Sequence, residues 1–265
     1  MTDNLNIEAY LERIGFQSRI LLSEEILHGL HKAHTLSIPF ENLDVFFGRP
    51  IALDLPTLFG KLVTGNRGGY CFEMNGLFSA VLGKIGFEVV PLLARVAFDF
   101  NRQFGPKTHQ VLMVKTGSSR WLVDVGFGKD GIISPLLLDT TDDQHQFGRI
   151  YRIEPHPQFG YILDLRTPDR DFCQYAFTLD KCWPADFVMA NHFTATYPES
   201  LFVKTLVCTM PTEQGRVTLT DRHLKIVSNS IVRQTEIRDL GDFGAKLSAH
   251  FKLDLKKIQN KYRLG

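Results

Sequence analysis

The sequence predicts an α+β fold with its helices and strands segregated along the chain. Three observations carry this. Up to Ile85, apolar residues recur at three- to four-residue spacing, which is the helical period. After Gly86 the chain changes to short runs rich in β-branched and aromatic residues, parted by turn residues. From Leu201 a second, smaller β-rich block leads into one more helical pattern. This order divides the chain into a helical region (1–86), a β region (87–198) and a mixed α/β region (199–265). No repeat, low-complexity tract or linker separates them, so one packed body is expected.

In the first region, Ile7, Tyr10, Leu11 and Ile14 form a helical stripe with Asn6 as cap and Gly15 as stop. A second helix follows Ser23, with Glu24 and Glu25 in its first turn and Ile26, Leu27, Leu30 and Ala33 as its buried stripe. His28, His31 and His34 lie on another part of that helix. With no carboxylate or thiol to complete a metal site, they read as a solvated polar face. Pro39 biases its stretch to an extended or turn conformation, and Pro56–Val63 reads as a short third helix. A further helix begins near Cys71 and ends at Gly86.

In the second region, Phe87–Phe100, His109–Lys115, Arg120–Val125, Arg149–Glu154, Gly160–Arg166 and Asp171–Leu179 read as strands. Gly117-Ser118-Ser119 is a hairpin turn and polar Asp139–Gln146 a loop. Strands at such short spacing predict an antiparallel sheet closing toward a barrel. Pro184 opens a helix to about Phe193. In the third region, Phe202–Cys208, Arg216–Leu219, Leu224–Val227 and Ile231–Ile237 read as strands and Asp239–Phe251 as a closing helix. The tail, with Lys252, Lys256, Lys257, Lys261 and Arg263, reads as a solvated basic helix end.

Composition narrows the function. With 265 residues, 44% hydrophobic and 22% charged, the chain can bury a sizeable core. A formal net charge of +1 gives no basic footprint for nucleic acid. No apolar stretch is long enough to span a membrane, and the first residues do not read as a signal peptide. Cys71, Cys173, Cys182 and Cys208 show no metal-type pairing, which suits a reduced, cytoplasmic protein.

Cys71 stands out among the four. It follows Arg67-Gly68-Gly69-Tyr70 and opens a helix, where free backbone N–H groups and the helix dipole favour a thiolate. A buried inert thiol is the competing reading. His109, before an apolar strand, and Asp124, at the end of the next, supply the base and orienting acid that a thiol nucleophile needs. Either residue alone reads more simply as structural. Glu41, set among apolar residues, needs a partner if buried, and Arg67 is the candidate. Gly126-Phe127-Gly128 lacks the spacing and the Lys-Ser/Thr of a phosphate-binding loop; it is an ordinary turn or a place where backbone approaches a ligand.

The Arg-Gly-Gly-Tyr-Cys-Phe-Glu-x-Asn run at Cys71, Ile-Pro-Phe-Glu-Asn-Leu at Ile38–Leu43, Thr-His at His109 and Asp-Val-Gly-Phe-Gly at Asp124–Gly128 together resemble the arylamine N-acetyltransferase family. The resemblance is close in the N-terminal half and looser beyond. It implies a helical bundle carrying the nucleophile, a central β-barrel carrying His109 and Asp124, a C-terminal α/β lid, and a cysteine-protease-like Cys-His-Asp core. It also implies acetyl-CoA as acyl donor, an aromatic amine or hydrazine as acceptor, and no metal. Phe40, Val96, Phe127 and Phe202 become pocket walls, Gly126 and Gly128 lie near the coenzyme A entry, and the Glu41–Arg67 pair supports the active-site loop. The same triad would also serve a thiol hydrolase, a transglutaminase-like enzyme or an amide synthase, and a non-catalytic binding module is a further alternative.

Overall fold

The computed structural model describes residues 5–97, 102–166, 171–229 and 231–260. Helix α1 (Ile7–Ile14) starts where the Asn6 side chain accepts the Ala9 N–H and stops at Gly15 in the left-handed region. Helix α2 (Glu24–Ser37) is capped by Ser23. A two-residue strand β1 (Phe40–Glu41), a turn of helix α3 (Leu43–Phe46) and helix α4 (Leu55–Phe59) follow, the last continuing into a π-type turn over Gly60–Thr64. Helix α5 (Cys71–Ile85) then runs through the centre of the helical core, with Phe72, Leu77, Phe78, Val81 and Leu82 fully buried.

One expectation fails here. His31 and His34 are wholly buried and His28 is half-buried, so this face of α2 is not solvated. Each ring finds a partner far away in sequence: His28 Nδ1 the Ser134 hydroxyl at 2.7 Å, His31 Nδ1 the Ile133 carbonyl at 2.9 Å, and His34 Nδ1 the Tyr10 hydroxyl at 2.8 Å. Those bonds replace water at Nδ1, whereas Nε2 of His28 and of His34 is buried with no hydrogen-bond partner among the described residues. Ala33, placed in the buried stripe, is only half-buried.

The second region contributes β2 (Glu88–Ala97), β3 (Phe104–Thr116), β4 (Ser119–Val123), β5 (Leu136–Leu137), β6 (Gln144–Gln146), β7 (Arg149–His156), β8 (Gly160–Arg166) and β9 (Phe172–Phe177). They form one antiparallel sheet in the order β5-β4-β3-β2-β9-β8-β7-β6, curled into a nearly closed barrel. The seam is closed by side chains. Gln144 Nε2 donates to the Leu137 carbonyl and its Oε1 accepts the Leu137 N–H; Gln146 does the same for Ser134, with Ile133 N–H as a further donor. The edge strands are thereby satisfied without a backbone ladder between them. Residues 144–146, expected within a loop, are strand because their backbone pairs antiparallel with Arg149, Ile150 and Tyr151 of β7. β3 also starts five residues before His109, because its Gly-Pro stretch is taken up by register shifts opposite Arg95 and Ala97. The expected strand end at 98–100 lies outside the described residues.

Helix α6 (Pro184–Thr196) leads to helix α7 (Leu201–Lys204) and a second antiparallel sheet of β1, β10 (Val207–Thr212), β11 (Gly215–Thr220), β12 (His223–Ser228) and β13 (Ile231–Glu236). The expected strand from Phe202 is wrong: Asn42 Nδ2 donates to the carbonyls of Phe202 and Thr205, and Asn42 Oδ1 accepts the Val207 N–H, bending this segment into a helical turn first. Helix α8 (Leu240–Phe251) packs on this sheet, and α9 (Leu255–Asn260) turns Leu255 and Ile258 inward beside it. Lys252 and Lys256 face solvent, while Lys261 and Arg263 lie outside the described residues. Among the described residues, no helix is long and apolar enough to cross a membrane.

Candidate active site

Cys71 is the first residue of α5, 3% exposed, with its thiol 3.9 Å from the Thr108 carbonyl. The turn before it is held by close backbone approach. A Cβ on Gly68 would sit 2.1 Å from the Pro39 carbonyl oxygen, so no other residue fits. The Tyr70 N–H, left open at the helix start, donates to Glu73 Oε2 at 3.1 Å.

Beneath this turn lies a buried ion cluster. Arg67 donates to Glu41 Oε1 from Nε at 2.9 Å and from a terminal nitrogen at 2.6 Å, and also reaches Asp44 at 3.1 Å. Lys61 bridges Asp44 at 2.8 Å and Glu73 at 2.7 Å, and Arg49 meets Asp44 at 3.1 Å. Burial works against the charges of Arg67 and Lys61, but the surrounding carboxylates outweigh it and hold both above the usual range. Asp44 is held well below the usual carboxylate range by the same cations, whereas burial wins for Glu73 and raises it. The Glu41–Arg67 contact was anticipated; Asp44, Lys61, Arg49 and Glu73 were not.

His109 comes from β3, which pairs with β2 so that Ala94 faces it. Asp124 follows directly after β4. Residues paired across a sheet share a face. His109, Ala94, Val96 and Tyr175 therefore project to one side, and the His109 and Tyr175 rings lie 5.1 Å apart. His109 Nε2 contacts Asp124 Oδ2 at 2.7 Å with both residues buried, which leaves Nδ1 for the thiol. Burial alone would depress His109. The Asp124 carboxylate, helped by the Cys71 sulfur, overrides this and lifts it to about 10. Burial likewise opposes the Asp124 charge, yet His109, Asn75 and the Gly126 N–H hold it low.

Three residues brace Asp124. Asn75 Nδ2 donates to Asp124 Oδ1 at 2.9 Å and to the Gln110 carbonyl at 2.7 Å, while its Oδ1 accepts the Val125 N–H at 3.0 Å. Gly126 N–H donates to Asp124 Oδ1 at 2.9 Å. His31 Nε2 accepts the Asp124 N–H at 3.2 Å. Asn75 lies within the Cys71 motif, and the period of α5, which places it one turn after Cys71, is the sequence signal for this role.

The glycines of the Asp124 loop have a packing cause. A Cβ on Gly126 would lie 2.8 Å from Cys71 Cα, and one on Gly128 would lie 2.6 Å from the Phe40 ring. Phe40 and Phe202 rings are 5.7 Å apart, Tyr70 and Phe202 6.0 Å, and Phe127 and His109 5.2 Å. Phe40, Phe202 and Phe127 thus gather around the Cys71 turn and His109. Val96, half-buried, lies opposite Tyr175 on β9. Burial pushes the Cys173 thiol to about 12, Cys208 well above its ordinary value and Cys182 upward.

The N-acetyltransferase family model matches residues 24–260. The chain is 35% identical to an arylamine N-acetyltransferase / N-hydroxyarylamine O-acetyltransferase of Salmonella typhimurium over 256 residues, covering 96% of this chain and 91% of that one. It superposes on the arylamine N-acetyltransferase structure from M. tuberculosis with a TM-score of 0.90 at 32% identity, covering 96% of each chain. The Mycobacterium marinum arylamine N-acetyltransferase in complex with CoA gives a TM-score of 0.89 at 30% identity, covering 96% and 94%. The similarity thus reaches well past the N-terminal half that carries the quoted motifs, and the chain belongs to the arylamine N-acetyltransferase family.

Proposed function

We propose that the chain transfers an acetyl group from acetyl-CoA to the nitrogen of an arylamine, arylhydrazine or hydroxylamine by way of S-acetyl-Cys71. The observation that carries this reading is the chain of contacts at the head of α5: a thiol at the helix start, an imidazole raised to about 10 in part by that sulfur, and a buried carboxylate 2.7 Å from the ring's far nitrogen. The 30%-identical relative whose structure is in complex with CoA supports the donor.

In the first half-reaction, His109 holds the Cys71 proton and the thiolate adds to the thioester carbonyl carbon. The tetrahedral adduct collapses, the C–S bond to coenzyme A breaks, and the departing thiolate takes the proton from the imidazolium. In the second half-reaction, the acceptor nitrogen adds to the S-acetyl carbonyl and gives a proton to His109. Collapse expels the Cys71 thiolate and restores the ion pair. Asp124 keeps its charge throughout and orients the ring. Phe40, Val96, Phe127 and Phe202 suit a planar aromatic acceptor. Glu41 and Arg67 support the turn, and the loop of Gly126 and Gly128 lies near the entry for coenzyme A. We place the nucleophile in a 1–86 region, the base and acid in 87–198, and a pocket wall in 199–265. A chemistry that needs a free thiol supports a reducing, cytoplasmic setting.

The test is incubation with acetyl-CoA alone, followed by intact mass and peptide mapping. One acetyl group on Cys71, absent in Cys71→Ser, together with parallel double-reciprocal lines for donor and arylamine, is expected. No adduct on Cys71, with peptide amidase activity retained, would assign the triad to hydrolysis instead.

A further inference from the structure

The His31 imidazole takes no part in the steps above, yet it sits behind the acid of the site. It is completely buried on α2, with Nδ1 at 2.9 Å from the Ile133 carbonyl and Nε2 at 3.2 Å from the Asp124 amide nitrogen. A carbonyl oxygen only accepts and an amide N–H only donates, so the two partners dictate the tautomer: Nδ1 carries the hydrogen and Nε2 offers its lone pair. We propose that His31 is a positioning residue, fixing the Asp124 backbone so that its carboxylate stays aimed at His109, and thereby sustaining the reactivity of Cys71. This rests on the triad reading given above.

Two features support this role over simple filling of space. A leucine would fill the same core position without the cost of burying two polar nitrogens. Moreover, Asp124 Oδ1 and Oδ2 are already held by Asn75, Gly126 and His109, so the bond at the Asp124 N–H adds a separate, backbone hold on that residue's geometry. The neutral form is required, since a second ring proton would point at the Asp124 N–H. The surroundings enforce it. Burial dominates and, with the Coulomb effect of His28 on the same helix, pushes His31 down to about 4 against the pull of Asp124 and the Ile133 carbonyl. His34 and Thr35 face it from α2, and the Phe78 ring meets it edge-on from α5 at 6.0 Å.

The experiment compares His31→Asn with His31→Gln. An asparagine amide reaches the place of Nδ1 and keeps the Ile133 bond; a glutamine amide reaches the place of Nε2 and keeps an acceptor for Asp124. Two rates are measured: single-turnover acetylation of Cys71 by acetyl-CoA, and alkylation of Cys71 by iodoacetamide across pH. His31→Asn is expected to acetylate about tenfold more slowly, the scale of one modest hydrogen bond, with the acid limb of alkylation moved to higher pH. His31→Gln should recover most of both. An alkylation profile of His31→Asn that overlays the parent's, or equal losses in both variants that track a shared fall in melting temperature, overturns the proposal. Alkylation needs no acyl donor, so failure of the acetyl-CoA reading is seen separately, as a parent enzyme that alkylates but never acetylates. Long-range nitrogen–proton NMR of the parent decides the matter even if a variant fails to fold: a His31 ring protonated on Nε2, or charged near neutral pH, is incompatible with the role.

Discussion

Asn75→Asp is the sharpest perturbation of the site, because it changes chemistry without changing shape. The amide nitrogen that donates to Asp124 Oδ1 at 2.9 Å and to the Gln110 carbonyl at 2.7 Å becomes an oxygen. The bond accepted from the Val125 N–H survives. Two attractive contacts thus turn into oxygen–oxygen contacts in a buried place. Two carboxylates about 4 Å apart at an effective dielectric near 20 repel by about 4 kcal/mol. Only at lower pH does a shared proton relieve most of this, as it does in other buried carboxyl pairs.

The expected phenotype has a direction as well as a size. Melting should fall by about 10 °C, taking a loss of about 3 to 4 kcal/mol and roughly 2–4 °C per kcal/mol for a chain of this size. Single-turnover acetylation of Cys71, measured well below the melting temperature, should drop about a hundredfold at pH 8, since about 2.7 kcal/mol corresponds to that factor. At pH 6 the deficit should shrink, because the carboxyl introduced at position 75 regains a hydrogen to donate to Asp124. A variant with parental acetylation at both pH values, or a deficit that grows toward acid, would refute the account of Asn75 as the brace of Asp124.

Other outcomes follow from the same geometry. His109 is raised to about 10 from an ordinary value near 6.5, so its stabilising contribution is complete below about pH 6.5 and is lost as pH rises toward 10. Calorimetry should show the melting temperature falling over that window, and Asp124→Asn should flatten the slope. Lys61→Met leaves the Asp44 and Glu73 carboxylates without their shared cation; breaking such a buried pair costs about 3–5 kcal/mol. Its thermal melt should fall by about 10 °C or more, with slower acetylation of Cys71 because Glu73 also holds the Tyr70 N–H.

The features legible in the sequence are those written in local pattern. Asn6, Ser23 and Gly86 bound helices because capping acts over three or four residues. Cys71 at a helix start needed only two glycines and a helical period. What escaped is what depends on distant partners. Nothing near Gln144 or Gln146 announces that their amides will close a barrel seam against Leu137 and Ser134. Phe202 has strand-like neighbours, but Asn42, far away in sequence, bends the segment. His31 and His34 sit on a face that looks polar in isolation, and become core only because Ile133, Asp124 and Tyr10 bring partners to them. Nothing local marks Lys61 or Asp44 as partners; only the folded chain brings Lys61, in the turn at Gly60–Thr64, and Arg67 to Asp44.

Those long-range partners converge on one residue. Asp124 is held through its amide by His31 from α2, through one oxygen by Asn75 from α5 and Gly126 from its own loop, and through the other oxygen by His109 from β3. Helical region and barrel therefore meet at a buried carboxylate, and neither region completes the site without the other. A carboxylate so enclosed gains little from water, which makes its charge depend on the donors around it. In the proposed mechanism that dependence orders the site: donors fix Asp124, Asp124 favours the charged form of His109, and His109 takes the proton from Cys71. A defect at the first step should consequently be read out at the last, in the alkylation rate of a thiol to which neither His31 nor Asn75 need be bonded.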